Sequence, residues 1–283
     1  MTGMMGHSLD DDSARWARVL YYGKPGSGKS TNIASMANKG LTVIVDMEEG
    51  YEKQALELRG INTKNIHIFK PRSFDQAEQV YWEIKGMIDG GMDVYGVGFD
   101  HWSELQDIII RDAATTRITK RKRELNKLVV AGDADAKAEF DALSVYRTDL
   151  PDYGEWTERG KRLLRLFRDL PCHVAFASHE TTDEGTGKIV PMQTDKFQKK
   201  LMAGVRTVVY TRANEIKREQ RIEFVGITKP IDRFECKDRT GLLPTAMIDP
   251  TMERIIETLD GTLDMSTDEA QLKYLERKQG EKK

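Results

Sequence analysis

Apolar residues along this chain fall into short continuous runs separated by charged, helix-prone stretches. Residues 41–46 read Leu-Thr-Val-Ile-Val-Asp, and residues 94–100 and 173–178 have the same character. Runs of this length without strict alternation mark strands buried on both faces. Residues 18–22 form a shorter β-prone run that leads straight into a glycine-rich segment. Helical stretches lie between the strands: 30–38, stopped by Gly40; 51–59, ended by Gly60; and one begun by Ser73, with Gln76 in the capping-box position, that runs to about residue 88. Residues 65–69 supply a further short strand.

Past residue 105 the composition changes. Residues 105–155 are charged, alanine-rich and helix-prone, which predicts an inserted helical arm, with a helix returning to the core over 156–169. Residues 181–200 hold turn formers and scattered lysines and read as a loop. Residues 206–212, 221–227 and 232–236 read as late strands, the last two as a hairpin, and 252–259 as a closing helix. The expected organisation is a flexible tail over 1–15, a core over 16–260 carrying the arm, and a polar tail over 261–283. Strands alternating with helices predict an α/β fold with a mainly parallel central sheet flanked by helices.

Composition narrows the class. With 39% hydrophobic and 32% charged residues the chain reads as soluble and globular. No apolar run approaches the roughly 18 residues of a membrane span, so no membrane partner is expected. The first dozen residues lack the basic and apolar regions of a secretory signal, which makes the cytoplasm the expected compartment. Cys172 and Cys236 fit neither a metal site nor a disulfide framework, and both are expected to be buried and reduced. A net charge of −2 excludes a surface devoted throughout to nucleic acid, so any such contact must rest on local patches.

The chemistry starts at Gly23-Lys24-Pro25-Gly26-Ser27-Gly28-Lys29-Ser30, followed by Thr31, which fits G-x-x-x-x-G-K-[ST] without a mismatch. Glycines at these positions let backbone N–H groups turn inward around a β-phosphate, where the next helix presents its positive end. Lys29 is placed to reach the β- and γ-phosphates, and the Ser30 hydroxyl to ligate Mg²⁺. ATP with Mg²⁺ is the implied cofactor pair. Asp100, ending an apolar strand, supplies the second acidic element that such a loop requires for the metal. Glu48 follows the strand 41–46 at the edge where phosphates would sit and suits a general base, with Glu49 as the alternative. His179, just past the strand 173–178, is placed to sense a γ-phosphate. Lys237 and Arg239, two apart on an extended segment, point to one side and suit a phosphate in a neighbouring subunit. An exposed charged turn is the plainer reading of that pair.

Assembled in order, these motifs resemble the RecA-core P-loop ATPases, and among them the phage nucleotide-binding proteins that include RecA-like single-strand annealing proteins. Gly23 to Ser30 resembles Walker A, and Asp46-Met47-Glu48 the D-x-E element that carries the catalytic glutamate. Asp100 resembles the Walker B aspartate. Phe176-Ala177-Ser178-His179 is similar to the sensor strand, which ends in Gln in RecA and often His in the phage proteins, and Lys237-Asp238-Arg239 to a K-x-R element acting across subunits. The resemblance covers about residues 16–260. It implies a sensor strand between the Walker A and Walker B strands, a helical insertion after Walker B, and ATP sites between subunits of a ring or filament.

It also implies contact with single-stranded DNA through the loops after the Walker B and sensor strands. The first loop corresponds to the arm, with Arg117, Lys120, Arg121, Lys122 and Arg123; the second holds Lys196, Lys199 and Lys200, with Phe197 its only stacking platform. Asp133, Asp135 and Glu139 further along the arm favour the alternative of a solvated helix face. Three functions stay open: a DNA-dependent ATPase of phage-type recombination or annealing, with a single-strand-binding or replication protein as partner; a ring motor or helicase-loading ATPase; and an assembly protein switched by nucleotide.

Overall fold

A computed structural model describes residues 16–144, 147–216 and 221–265. The expected tail over 1–15 lies outside the described residues, as does the expected polar tail over 261–283 beyond residue 265. Strand β1 (Arg18–Tyr22) runs into the glycine-rich loop, and α1 (Lys29–Ala34) follows with one 3₁₀ turn over Ser35–Asn38. Next come β2 (Leu41–Asp46), α2 (Lys53–Leu58), β3 (Ile66–Phe69), α3 (Phe74–Asp89) and β4 (Val94–Asp100). Ser73 caps α3 by accepting the Gln76 N–H, while the Gln76 side chain reaches back one residue further than a capping box requires, to the Arg72 N–H.

Helix α4 (Trp102–Val130) starts directly after β4 and is 29 residues long. It turns back through α5 (Ala134–Ala142) and α6 (Leu150–Arg168) to β5 (His173–Ser178). The returning helix starts at Leu150 rather than 156, because Asp149 and Asp152 form a reciprocal cap around Pro151. The expected insertion is thus a helical excursion: Leu105, Ile109, Ile110, Ala114, Ile118 and Leu125 on α4 are all buried.

Two expectations fail here. Residues 181–200 are not a loop: β6 (Glu180–Thr182) and β7 (Ile189–Pro191) form a hairpin, and α7 (Asp195–Gly204) is an amphipathic helix burying Phe197 and Leu201, four residues apart. The late hairpin also joins different partners. Strand β8 (Thr207–Ile216) extends past 212 and pairs antiparallel with β9 (Arg221–Ile227), whereas 232–236 form no named strand and lead into β10 (Lys237–Asp238). Strand β11 (Ala246–Ile248) and α8 (Met252–Leu259) close the fold, and Met265 packs into the core beyond them.

Among the described residues nine strands form one sheet with the path β11-β9-β8-β1-β5-β4-β2-β3, and β10 joins β8 from the side. Strands β3, β2, β4, β5, β1 and β8 are all parallel neighbours. Strand β5 lies between β1 and β4, the order that the resemblance implies. This is a P-loop NTPase architecture, a mostly parallel sheet with helices on its faces. One face packs an aromatic cluster: the Trp102 ring is 4.9 Å from Phe99, 5.7 Å from Phe176 and 5.5 Å from Phe197. Such buried rings dominate core energetics. The cluster sits directly behind the carboxyl ends of β4 and β5, where the site is built. Phe197 is fully buried within it, so the expected stacking platform is a core residue.

Candidate active site

Four parallel strands deliver the site. The carboxyl ends of β1, β2 and β4 release Gly23, Met47 and His101 to one edge of the sheet, and β5 releases His179 there, the usual place for a ligand in an open α/β sheet. They surround a cavity of about 350 Å³ lined by Pro25, Gly26, Ser27, Gly28, Lys29, Ser30, Thr31, Glu48, Gly50, His101, His179 and Phe224.

The loop needs glycine for two reasons. Gly28 has φ +89°, and a Cβ there would stand 2.8 Å from the Phe224 ring; a Cβ on Gly23 would meet the Thr211 carbonyl oxygen at 2.2 Å. Ser27 and Thr211 hydroxyls, 3.0 Å apart, fasten the loop to β8. Lys24, Pro25 and Gly26 are exposed and form the outer rim. Lys29 is buried, and its ammonium donates to the carbonyls of Gly23 at 3.0 Å and Lys24 at 2.9 Å. Burial lowers its pKa, opposed by the charges of Asp100, Glu48 and Glu180.

Asp46 organises the neighbouring turn. Its Oδ1 accepts N–H bonds from Glu48 at 3.2 Å and Gly50 at 3.3 Å, turning the chain so that the Glu48 carboxylate faces the cavity. Glu49, with φ +57°, points elsewhere and pairs with Arg72 and Lys70. Glu48 Oε1 lies 2.7 Å from His179 Nε2, and its Oε2 lies 3.5 Å from His101 Nε2. Burial acts to raise the Glu48 pKa, but the His179 hydrogen bond and the two imidazole charges hold it below the ordinary value. Asp100 behaves alike: burial raises it, and the adjacent His101, with the Ser30 and Tyr51 hydroxyls beside it, holds it low. His179 is fixed through its backbone, whose N–H donates to the Ser103 hydroxyl at 3.0 Å. That bond ties the end of β5 to the first turn of α4.

A family model described as an AAA domain matches residues 15–240. The chain belongs to the AAA domain family. No curated protein matches it. As a P-loop AAA-type ATPase domain it binds nucleotide, and its residues fit a magnesium ion: Asp100 Oδ1 is buried with no well-aligned hydrogen bond, His101 Nε2 standing 2.9 Å away, and the Ser30 hydroxyl is next to that carboxylate.

The AAA domain does not bring Lys237 and Arg239 to its own glycine-rich loop. Strand β10 pairs Lys237 with Val208 and Asp238 with Thr207, at the amino end of β8, while the loop lies beside Thr211, near its middle. The Lys237 ammonium donates to the carbonyls of Met202 and Val205 at the end of α7. Burial, then the Arg239 charge, lowers its pKa to about 8. Arg239 is exposed.

The arm's cations are mostly occupied. Arg117 makes two hydrogen bonds to Asp152, at 3.0 and 2.9 Å, Arg121 makes two to Glu139, both 2.7 Å, and Lys122 lies over the Phe140 ring. Lys120 and Arg123 are exposed on α4, as are Lys196, Lys199 and Lys200 on α7. Lys200 lines a cleft with Arg165 and Arg168 of α6. Both cysteines are buried and free, and burial pushes each thiol to about 12. No helix among the described residues is long and apolar enough to cross a membrane.

Two lining residues carry no signal that the motifs supply. His101 follows Asp100 directly, and the hint available was a second histidine at the end of an adjacent buried run. Phe224 enters from β9 and is recognisable only once β9 lies beside β8.

Proposed function

We propose that this domain hydrolyses ATP with Mg²⁺, using Glu48 as general base, in an assembly whose active sites are completed by a second subunit and whose turnover responds to single-stranded DNA. The observation that carries the reading is the placement of Glu48, ionised and held by His179 at the mouth of the glycine-rich cavity.

The chemistry follows from the side chains. A water held between Glu48 and the γ-phosphate gives its proton to the carboxylate, the role that an ionised acceptor positioned beside a nucleophile can play. Lys29 leaves the carbonyls of Gly23 and Lys24 for the phosphates, exchanging two neutral acceptors for charged ones. Ser30 and Asp100 would hold Mg²⁺, which supplies charge neutralisation for the phosphates. His179, bonded to Glu48 and seated at the end of β5, registers loss of the γ-phosphate and passes it through Ser103 to α4. Lys237 and Arg239, on the far side of β8 from their own loop, serve a neighbouring subunit's nucleotide.

Single-stranded DNA is the proposed stimulant, reached through exposed Lys120, Arg123, Lys196, Lys199 and Lys200, with a single-strand-binding or replication protein as a further partner and a phage-type recombination or annealing setting. One observation favours a second reading: Arg117 and Arg121 are spent on Asp152 and Glu139, and Phe197 is buried, which leaves fewer groups for a nucleic acid and suits a motor or nucleotide-switched assembly. Measuring ATP turnover with and without single-stranded DNA at low salt separates them. A rise in rate that fades with added salt is expected. A rate indifferent to DNA removes the recombination reading and leaves the second.

A further inference from the structure

Histidine is scarce in this chain, five in 283 residues, yet two share the cavity beside the glycine-rich loop. The rings of His101 and His179 lie 4.4 Å apart at 32°. Glu48, His101 and His179 each offer one ligand atom, all within 4.8 Å of one another. This trio uses neither of the residues that would hold Mg²⁺.

The Nε2 edges of both rings face oxygen. His101 Nε2 has Asp100 Oδ1 at 2.9 Å and Glu48 Oε2 at 3.5 Å, and His179 Nε2 has Glu48 Oε1 at 2.7 Å. The opposite nitrogens, Nδ1 of each ring, are buried with no hydrogen-bond partner. Two imidazoles and a carboxylate therefore converge on one small volume, with Asp100 beside them, and a cation there would replace the protons that the rings share with the carboxylates. Ligand atoms around a tetrahedral ion with bonds of about 2.0–2.1 Å stand about 3.3 Å apart. The Glu48–His101 separation already matches, and the Glu48–His179 contact needs to open by about 0.6 Å, within reach of a carboxylate rotation.

We infer that Glu48, His101 and His179 form a binding site for a divalent transition ion of the Zn²⁺ or Co²⁺ type, adjacent to the Ser30 and Asp100 position. Two imidazoles and one carboxylate select such ions over Mg²⁺, which prefers an all-oxygen shell. Three protein ligands leave a fourth position for water. An ion there takes the Glu48 carboxylate as a ligand and so removes it as a base, making the site inhibitory. That consequence rests on the proposed role of Glu48; the binding itself does not.

Co²⁺ titration of the nucleotide-free, tag-free full chain tests the site. The expected result is one equivalent bound with the visible absorption of a four- or five-coordinate nitrogen- and oxygen-ligated cobalt, bleached by stoichiometric Zn²⁺ and untouched by excess Mg²⁺. His101→Asn and His179→Asn should each weaken binding at least about tenfold, while His67→Asn, at an exposed histidine, should not. Absence of the visible band in the unmodified protein overturns the proposal regardless of how the variants fold, as does equal affinity in folded His101→Asn and His179→Asn proteins. The two readings of Glu48 also fail separately. Cobalt bound by the unmodified protein while Glu48→Gln still turns over ATP sustains the metal site and removes the base. Turnover lost in Glu48→Gln with no cobalt band does the reverse.

Discussion

His179 Nε2 lies 2.7 Å from Glu48 Oε1, joining the end of β5 to the turn after β2. The contact spans 131 residues of sequence and crosses β4, which lies between the two strands. It gives the carboxylate an orientation that the short turn from Asp46 to Gly50 does not enforce alone. Replacing His179 should therefore affect the rate more than binding. For His179→Ala, ATP turnover should fall by about 10–10² with little change in ATP affinity, read by steady-state kinetics beside equilibrium binding. Loss of affinity with an unchanged rate would place His179 in ground-state binding instead.

A half-buried ion pair between α4 and α6 helps to hold the helical excursion. The Asp152 side chain is 2% exposed and accepts both hydrogen bonds from Arg117, whose own side chain is 35% exposed. Arg117→Ala strands that carboxylate. Breaking a fully buried pair costs about 3–5 kcal/mol, and access of water to this one reduces the expected loss to about 2 kcal/mol, measured by urea unfolding. Arg117→Lys should recover only part, because an ammonium cannot make the paired contact. The sign with pH is fixed: Arg117 holds the Asp152 pKa below its ordinary value, so the pair stabilises the fold above the normal carboxyl range. The gap between native and Arg117→Ala proteins should close as pH falls below about 4.

Lys237 and Arg239 sit at the amino end of β8, away from their own glycine-rich loop. If they serve a neighbour, two defective subunits should complement each other. Mixing Arg239→Ala with Lys29→Ala chains should restore part of the ATP turnover that each lacks alone, since some interfaces then carry one intact loop and one intact arginine. No recovery at any mixing ratio would assign Arg239 to a role inside its own chain.

The parallel core was legible because its strands are buried on both faces and leave uninterrupted apolar runs: Leu41–Asp46, Val94–Asp100 and His173–Ser178 have the bounds read from the sequence. The glycine-rich loop was legible because its conformation demands particular residue types. What was missed lies where burial is one-sided. Lys196, Lys199 and Lys200 on the outer side of α7 hid the apolar stripe of Phe197 and Leu201. Alternation through Ala213, Asn214 and Glu215 made β8 look finished at 212, so its pairing with β9 was lost. The arm's basic run suggested free charge because Asp152 and Glu139, 35 and 18 residues away, meet Arg117 and Arg121 only after the helices fold back. His101 and Phe224 had no motif to announce them. They join the site through strand order.

The most direct measurement compares Glu48→Gln with the native chain for two quantities, ATP affinity in the presence of Mg²⁺ and single-turnover hydrolysis. The amide keeps the shape and a hydrogen-bonding oxygen toward His179 but cannot take a proton from water. Expected is hydrolysis slower by about 10²–10⁴, with ATP affinity retained. Hydrolysis near the native rate with intact ATP binding would contradict the assignment of Glu48 as the base.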